Sequence, residues 1–238
     1  MRKGQQTRRA IVDAALTQAA RAGLEGLTIG ALAEQMQMSK SGVFAHFGSR
    51  EELQIAVLKA YEERFIDAIL KSSLREPRGL PRLLAMLGQW LERTVIEAEL
   101  GCIWISGATE YDDRPGPVRD ELVAMIQGWQ RELRRAIEQA MTAGHLTVDT
   151  DVEDLMFGLY GVILVLHHDA RLMRSPDALP RARRTIERLL SSQLTAAARP
   201  LLAGFNAAAM PRAGAADDGA AAIAAGIGSA AGSPRLSV

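Results

Sequence analysis

The sequence predicts an all-α fold: an N-terminal three-helix helix-turn-helix domain followed by a larger C-terminal helical domain. Three observations carry this. Residues 28–47 hold two short apolar-faced segments separated only by Met36-Gln37-Met38, too few residues for anything but a turn. From Pro81 to about Gln193 the apolar residues keep helical spacing with no strand alternation. Start and stop residues fall at the ends of these periodic runs.

Helix one is expected from Arg8, behind a Thr7 cap, to Ala22, with Gly23 as the stop. Thr28 and Ser39 are placed to cap helices two and three, because a short hydroxyl accepts a bond from an orphan first-turn amide. Ile29, Leu32 and Ala33 give helix two one apolar face; Val43, Phe44 and Phe47 do the same for helix three. Ser49-Arg50-Glu51-Glu52 reads as a capping box opening helix four, which continues to about Leu70. Leu84, Leu87, Leu91 and Val95 form a helical seam, and Gly101 to Tyr111 is apolar on nearly all sides, so it is expected to be buried. Asp112 to Pro117 is punctuation. A long helix follows from Val118 to Ala143. The next, from Asp151 to Met173, has Asp149 or Thr150 as its cap, and a last helix runs from beyond Pro176 to about Ala198. From Ala207 to Gly232, 26 residues include 13 Ala and 5 Gly, with nothing to anchor a core. The expected division is therefore 1–52 for the helix-turn-helix domain and 53–198 for the helical body, with helix four (50–70) joining them. Residues 199–238 are read as a disordered Ala/Gly-rich tail.

The net charge is zero, which taken alone argues against a polyanion partner. The distribution reverses that. Residues 1–50 hold seven Lys/Arg against three Asp/Glu, a net of +4, leaving −4 for the remainder. A basic head on an acidic body is the charge plan of a nucleic-acid binder. A single cysteine, Cys102, precludes an intrachain disulfide and points to a reducing compartment. The longest apolar run, Leu155 to Leu166, has 12 residues where about 20 are needed to span a bilayer. A soluble cytoplasmic protein without a membrane partner is expected.

The run Met38-Ser39-Lys40-Ser41-Gly42-Val43-Phe44-Ala45-His46-Phe47-Gly48-Ser49-Arg50-Glu51-Glu52-Leu53 resembles the signature of the tetracycline-repressor (TetR) family of bacterial transcription regulators. Arg9-Ala10-Ile11-Val12-Asp13-Ala14-Ala15-Leu16 with Gly23 is similar to that family's first helix and its stop. Three positions depart from the pattern. Phe44 stands where the family usually has a Tyr whose hydroxyl touches a phosphate. Gln37 stands where a Gly is usual, so it must go left-handed at roughly 1 kcal/mol or reshape the turn. Ala19 replaces a bulky aromatic, leaving volume for Leu16, Leu24 or Met36 to fill.

A helix-turn-helix presents its second helix to the major groove with the first turn nearest the bases. The first-turn residues Ser39, Lys40, Ser41 and Gly42 are thus nearest the DNA, Phe44 and Arg50 complete the DNA-facing set, and the resemblance implies that Thr28 and His46 match the family's phosphate contacts. Lys40 is expected to neutralise a phosphate more than to read guanine. Gly42 permits close backbone approach, and Arg50 suits another phosphate at the start of helix four. Phe44 and Phe47 are read mainly as packing.

In the body, Met86, Trp90, Trp104, Met125, Trp129, Phe157 and Tyr160 are candidates for an apolar ligand pocket, against the plainer reading of ordinary core. Cys102 reads as an inert buried thiol, and His167-His168 cannot share a metal from one helix because neighbours point about 100° apart. The Leu155–Leu166 run is apolar all round, which implies burial on every face and so a partner. The resemblance implies that this helix and the last pair with their copies, giving Gly158, Gly161, Val165, His168, Ile186 and Leu190 as interface candidates. No catalytic, metal or cofactor motif is present, so no enzyme is expected. The sequence reads as a homodimeric, ligand-released repressor on palindromic double-stranded DNA with an unknown small-molecule effector. The alternative is a constitutive or activating regulator with no effector.

Overall fold

The computed structural model describes residues 3–207. It contains α1 (Lys3–Ala22), α2 (Ile29–Gln35), α3 (Lys40–Phe47), α4 (Arg50–Ile66), α5 (Leu80–Leu100), α6 (Ile103–Tyr111), α7 (Pro117–Thr142), α8 (Val152–Arg171), α9 (Ala178–Ser191) and α10 (Arg199–Ala207). A single wide turn at Asp67–Lys71 prolongs α4. Among the described residues the only strand-like pairing is one isolated bridge between Leu146 and Leu194. The all-α expectation holds.

The described chain divides into two compact units. One comprises 3–61 and 106–121, the other 62–105 and 122–207, so the division falls inside α4, α6 and α7. The boundary expected at 52/53 therefore moves to Tyr61, and the first unit also takes in a segment from mid-chain that the sequence reading had left in the body.

In the first unit the core is built from one face of each helix: Ile11, Ala15 and Ala19 of α1, Leu32 of α2, Val43 of α3, and Leu53 and Val57 of α4 are fully buried. Leu16 and Leu24, expected to take up the bulk that Ala19 lacks, are buried as well. α1 begins four residues before Thr7. The Thr7 hydroxyl donates to the Lys3 carbonyl at 3.1 Å, so Thr7 is an interior helical residue and not a cap. The other caps form as the sequence predicts. Thr28 accepts from the Ala31 amide at 3.2 Å, Ser39 from Gly42 at 3.0 Å and Ser49 from Glu52 at 3.0 Å.

In the second unit α5 packs on α8, α8 on α9, and α10 on α5 and α9. α8 is capped by Asp151, whose carboxylate accepts from the Glu153 and Asp154 amides at 2.9 and 3.0 Å; this corrects Asp149 or Thr150 as the cap. The last predicted helix ends at Ser191, not near Ala198. After the Leu146–Leu194 bridge, Arg199–Ala207 form α10 with Leu202 and Phe205 buried. The tail expected from 199 thus starts with a packed helix; its remainder from 208 lies outside the described residues. α6 is buried at Ile103 and Trp104 but exposed at Ala108 and Thr109, so it is not buried all round.

Candidate nucleic-acid interface

The turn between α2 and α3 is set by Gln37, which has φ +53°, the left-handed conformation foreseen for a non-glycine residue there. Its amide donates to Glu34 at 3.1 Å and the Met38 amide donates to Ala33 at 2.8 Å. That pair of bonds closes the C-terminus of α2 in a Schellman arrangement and repays part of the strain, since buried carbonyls need donors. α3 then opens on the Ser39 cap. Val43 and Phe47 face the core, while Lys40, Ser41, Phe44 and Ala45 are exposed.

The individual candidates fall as follows. Ser39 and Ser41 hydroxyls lie 3.1 Å apart. The Lys40 stem lies along Gly30: its Cε and Nζ are 3.4 and 3.7 Å from where a Cβ on Gly30 would sit. This brings the Lys40 side chain alongside the first turn of α2. Gly42 is half-buried, and a Cβ there would come within 3.1 Å of the Ser39 oxygen. His46 stands edge-on to Phe47, and the Arg8 guanidinium lies 4.9 Å from the centre of the Phe47 ring. Phe44 is 49% exposed, so packing is not its main role.

Arg50 is differently employed from the expected phosphate contact. Its Nε donates to the Leu27 carbonyl at 3.0 Å, and its Nη2 reaches the Glu25 carbonyl and, at 3.3 Å, the Glu25 carboxylate. Arg50 braces the α1–α2 turn. The rest of that turn is equally well partnered: Gln54 donates to Leu24, Gln18 to Gly26, and the Glu25 amide donates to the Glu110 carboxylate at 2.8 Å. Tyr111 donates its hydroxyl to Glu25, and Arg114 pairs with the same carboxylate at 3.3 Å. The Tyr111 hydrogen bond, with Arg50 and Arg114, holds the Glu25 carboxyl below its ordinary value, while burial and then the hydrogen bond to Glu25 and its charge push the Tyr111 phenol up. None of these partners was legible in sequence. Glu25 and Tyr111 are 86 positions apart, and the only hint was the polar run after Tyr111.

A group whose folded pKa is lowered contributes stability that is complete above its unfolded value and is lost as pH falls through the folded one. The brace around Glu25 should therefore weaken on acidification below the ordinary 4.5. Glu25→Gln is expected to flatten the acid limb of stability against pH, followed by circular dichroism. An acid limb as steep as in the native chain would show that other carboxylates carry it.

In the second unit, Met86, Trp90, Trp104, Met125 and Trp129 are buried together with Phe65. Phe65 lies 4.2, 4.9 and 6.3 Å from Trp104, Trp129 and Trp90, and Trp90 lies 5.0 Å from Trp129 and 5.5 Å from Tyr160. Burial pushes the Tyr160 phenol up to about 12. Trp129 Nε1 is buried without a hydrogen-bond partner. Phe157 does not join this cluster; it is 80% exposed, because it projects from the side of α8 opposite Leu155, Leu159 and Ile163. Cys102 is buried, as expected. His167 is buried, with its ring held below its ordinary pKa by burial first and then Arg171, whereas His168 is exposed beside Asp169.

The dimer candidates divide. Val165 and His168 are exposed and Gly158 and Gly161 half-buried, but Ile186 and Leu190 are fully buried in their own unit and cannot face a partner. The amphipathic α9 turns its apolar face inward, which leaves Arg181, Arg184 and Arg188 outside. α8, expected to be apolar all round and so to need a partner, exposes Phe157, Leu164 and Val165 within its own chain. Among the described residues no group of His, Cys, Asp or Glu could hold a metal, and no helix is long and apolar enough to cross a membrane.

A capped helix-turn-helix with a polar, basic outer face, joined to a larger helical body, defines a DNA-binding transcriptional regulator. Residues 11–57 match the family described as bacterial regulatory proteins, tetR family, and residues 79–186 match the tetracyclin repressor-like C-terminal domain. The chain belongs to the TetR family. Similar solved structures include a TetR transcriptional regulator from Chloroflexus aurantiacus, 22% identical with a TM-score of 0.72, covering 82% of this chain and 100% of that one. Another, a TetR-family regulator from Cytophaga hutchinsonii, is 19% identical with a TM-score of 0.71 over 82% and 98%. The regulator FadR from Bacillus subtilis, in complex with stearoyl-CoA, is 16% identical with a TM-score of 0.64 over 77% and 97%. No curated protein matches the sequence.

Proposed function

We propose that this regulator is a homodimeric cytoplasmic repressor that binds a palindromic operator through α3 and is released by a small-molecule ligand held in the second unit. Binding by α3 rests on its exposed residues Lys40, Ser41 and Phe44, which follow a firmly capped and braced turn. Lys40→Ala is expected to weaken operator binding and lower the slope of log affinity against log salt by about one per half-site. An unchanged slope would remove Lys40 from the phosphate contacts.

Dimerisation rests on α8. Phe157, Gly161, Leu164, Val165 and His168 stand at i, i+4, i+7, i+8 and i+11, one stripe of a helix, and three of them are large exposed apolar residues. A lone exposed Leu needs no explanation, but an aligned apolar stripe marks an interaction site. Gly161 would let a second helix approach closely, and two-fold pairing of this face gives a two-fold operator. Val165→Glu is expected to leave a monomer in sedimentation velocity and abolish tight operator binding; a persistent dimer would place the interface elsewhere.

Ligand response rests on one observation, the buried Trp129 indole N–H without an acceptor within an aromatic cluster, in a fold that FadR, found in complex with stearoyl-CoA, also has. A buried unpaired donor costs about 1–3 kcal/mol, which an acceptor on a ligand would recover. Ligand binding needs only to favour a dimer state with mismatched recognition helices. The close ring-to-ring packing of Phe65, Trp104 and Trp129 favours the alternative, a regulator with no effector. Thermal shifts across a metabolite library decide between them: an effector raises the melting temperature and lowers operator affinity, and no such compound exists under the alternative.

A further inference from the structure

Phe44 is the largest exposed apolar side chain of α3, half exposed, one turn from Lys40 and beside Ser41, at the border of the face that buries Val43 and Phe47. Its ring makes no cation–π contact and pairs with no other ring among the described residues. Without a hydroxyl it can neither donate to a phosphate nor to a base edge. Of its exposed neighbours, the Ser41 hydroxyl pairs with Ser39, and the Lys40 stem lies along Gly30. A major groove offers hydrogen-bonding atoms at almost every position, and its one apolar feature is the C5 methyl of thymine. An exposed phenyl facing that groove has only this group to contact favourably.

We propose that Phe44 reads the C5 methyl of one thymine in each operator half-site, making it a specificity-determining residue that selects by apolar contact. The proposal rests on α3 being the helix that enters the groove. It differs from the role of the family's usual tyrosine, whose hydroxyl goes to a phosphate and carries no sequence information.

The test uses the full-length protein and begins with selection from a random duplex pool at fixed salt. Each thymine of the selected site is then replaced by uracil, which removes only the methyl. Burial of one methyl-sized group is worth about fourfold in affinity, so one thymine per half-site is expected to show that loss, and about fifteenfold when both half-sites are changed. Phe44→Ala is expected to lose a similar factor on the thymine operator and to bind the two duplexes equally, while Phe44→Leu keeps a preference for thymine. The half-exposed position makes both variants compatible with folding, checked by their melting curves. If no uracil replacement matters, or if Phe44→Ala keeps the full thymine preference, the proposal is wrong while DNA binding stands. If no duplex is selected, groove binding by α3 falls and this assignment with it.

Discussion

Replacing Phe65 by alanine is expected to cost the second unit about 4 kcal/mol, the middle of the range for phenylalanine truncation in a packed core. Phe65 is 1% exposed, and its ring meets Trp104, Trp129 and Trp90 at 4.2 to 6.3 Å, with the Arg93 guanidinium 5.4 Å from its centre. Two of those contacts are perpendicular, the arrangement in which ring edges meet ring faces, and each such pair contributes about 0.5–1.5 kcal/mol beyond its area. Three large indoles cannot easily move into the space, because each is itself buried at 5% exposure or less. A domain stable by about 5–15 kcal/mol would lose a large share of that margin. All three tryptophans of the chain lie in this unit, so their fluorescence reports its unfolding directly. The denaturant midpoint should fall with an unchanged slope, and Phe65→Leu should lose less than half as much. A loss under 1 kcal/mol for the alanine variant would mean that the indoles close the gap.

The cluster was only partly legible in the sequence. Trp90, Trp104, Trp129, Met86 and Met125 were singled out because large apolar types are usually inside. Phe65 lies inside the expected helix four and was not singled out, since helical spacing says that a residue faces a core without saying which neighbours meet there. The same limit explains Phe157. An all-apolar run such as Leu155 to Leu166 has no polar face to orient it, so the sequence could not separate the side that packs on α5 and α9 from the side left exposed. Ile186 and Leu190 were offered to a partner although α9 has one apolar face and its own unit fills it. α10 was missed for a compositional reason: its buried apolar anchors Leu202 and Phe205 stand at the start of a run rich in alanine and glycine.

The helix-turn-helix was legible because its determinants are local. A hydroxyl at a cap, a left-handed residue at a turn and a glycine at a helix end each act within four residues. Arg50 shows where that stops. Its charge and place beside the Ser49 cap were visible, but the carbonyls of Glu25 and Leu27 lie more than 20 positions away, and they take the guanidinium that a local reading gave to phosphate.

Gly23→Ala is the second substitution with a large expected effect, about 2 kcal/mol lost from the first unit. Gly23 ends α1 with φ +79°, its amide donating to Ala19 at 2.8 Å. A side chain in that conformation costs about 1 kcal/mol before any contact is made. A Cβ there would also lie 1.9 Å from Glu110 Oε1. Glu110 can swing aside, but the Glu25 amide then loses its 2.8 Å acceptor, and the turn that Arg50, Gln54 and Tyr111 hold together loses one of its bonds. The two contributions can be told apart by a double-mutant cycle. In a Glu110→Ala background the clash is gone, so Gly23→Ala should cost only the backbone strain, near 1 kcal/mol, and the cycle should show coupling of similar size. Stability is read from amide hydrogen exchange across residues 24–47, which reports this unit. Equal costs in both backgrounds would mean that Glu110 yields without consequence and that the turn is held by its remaining bonds.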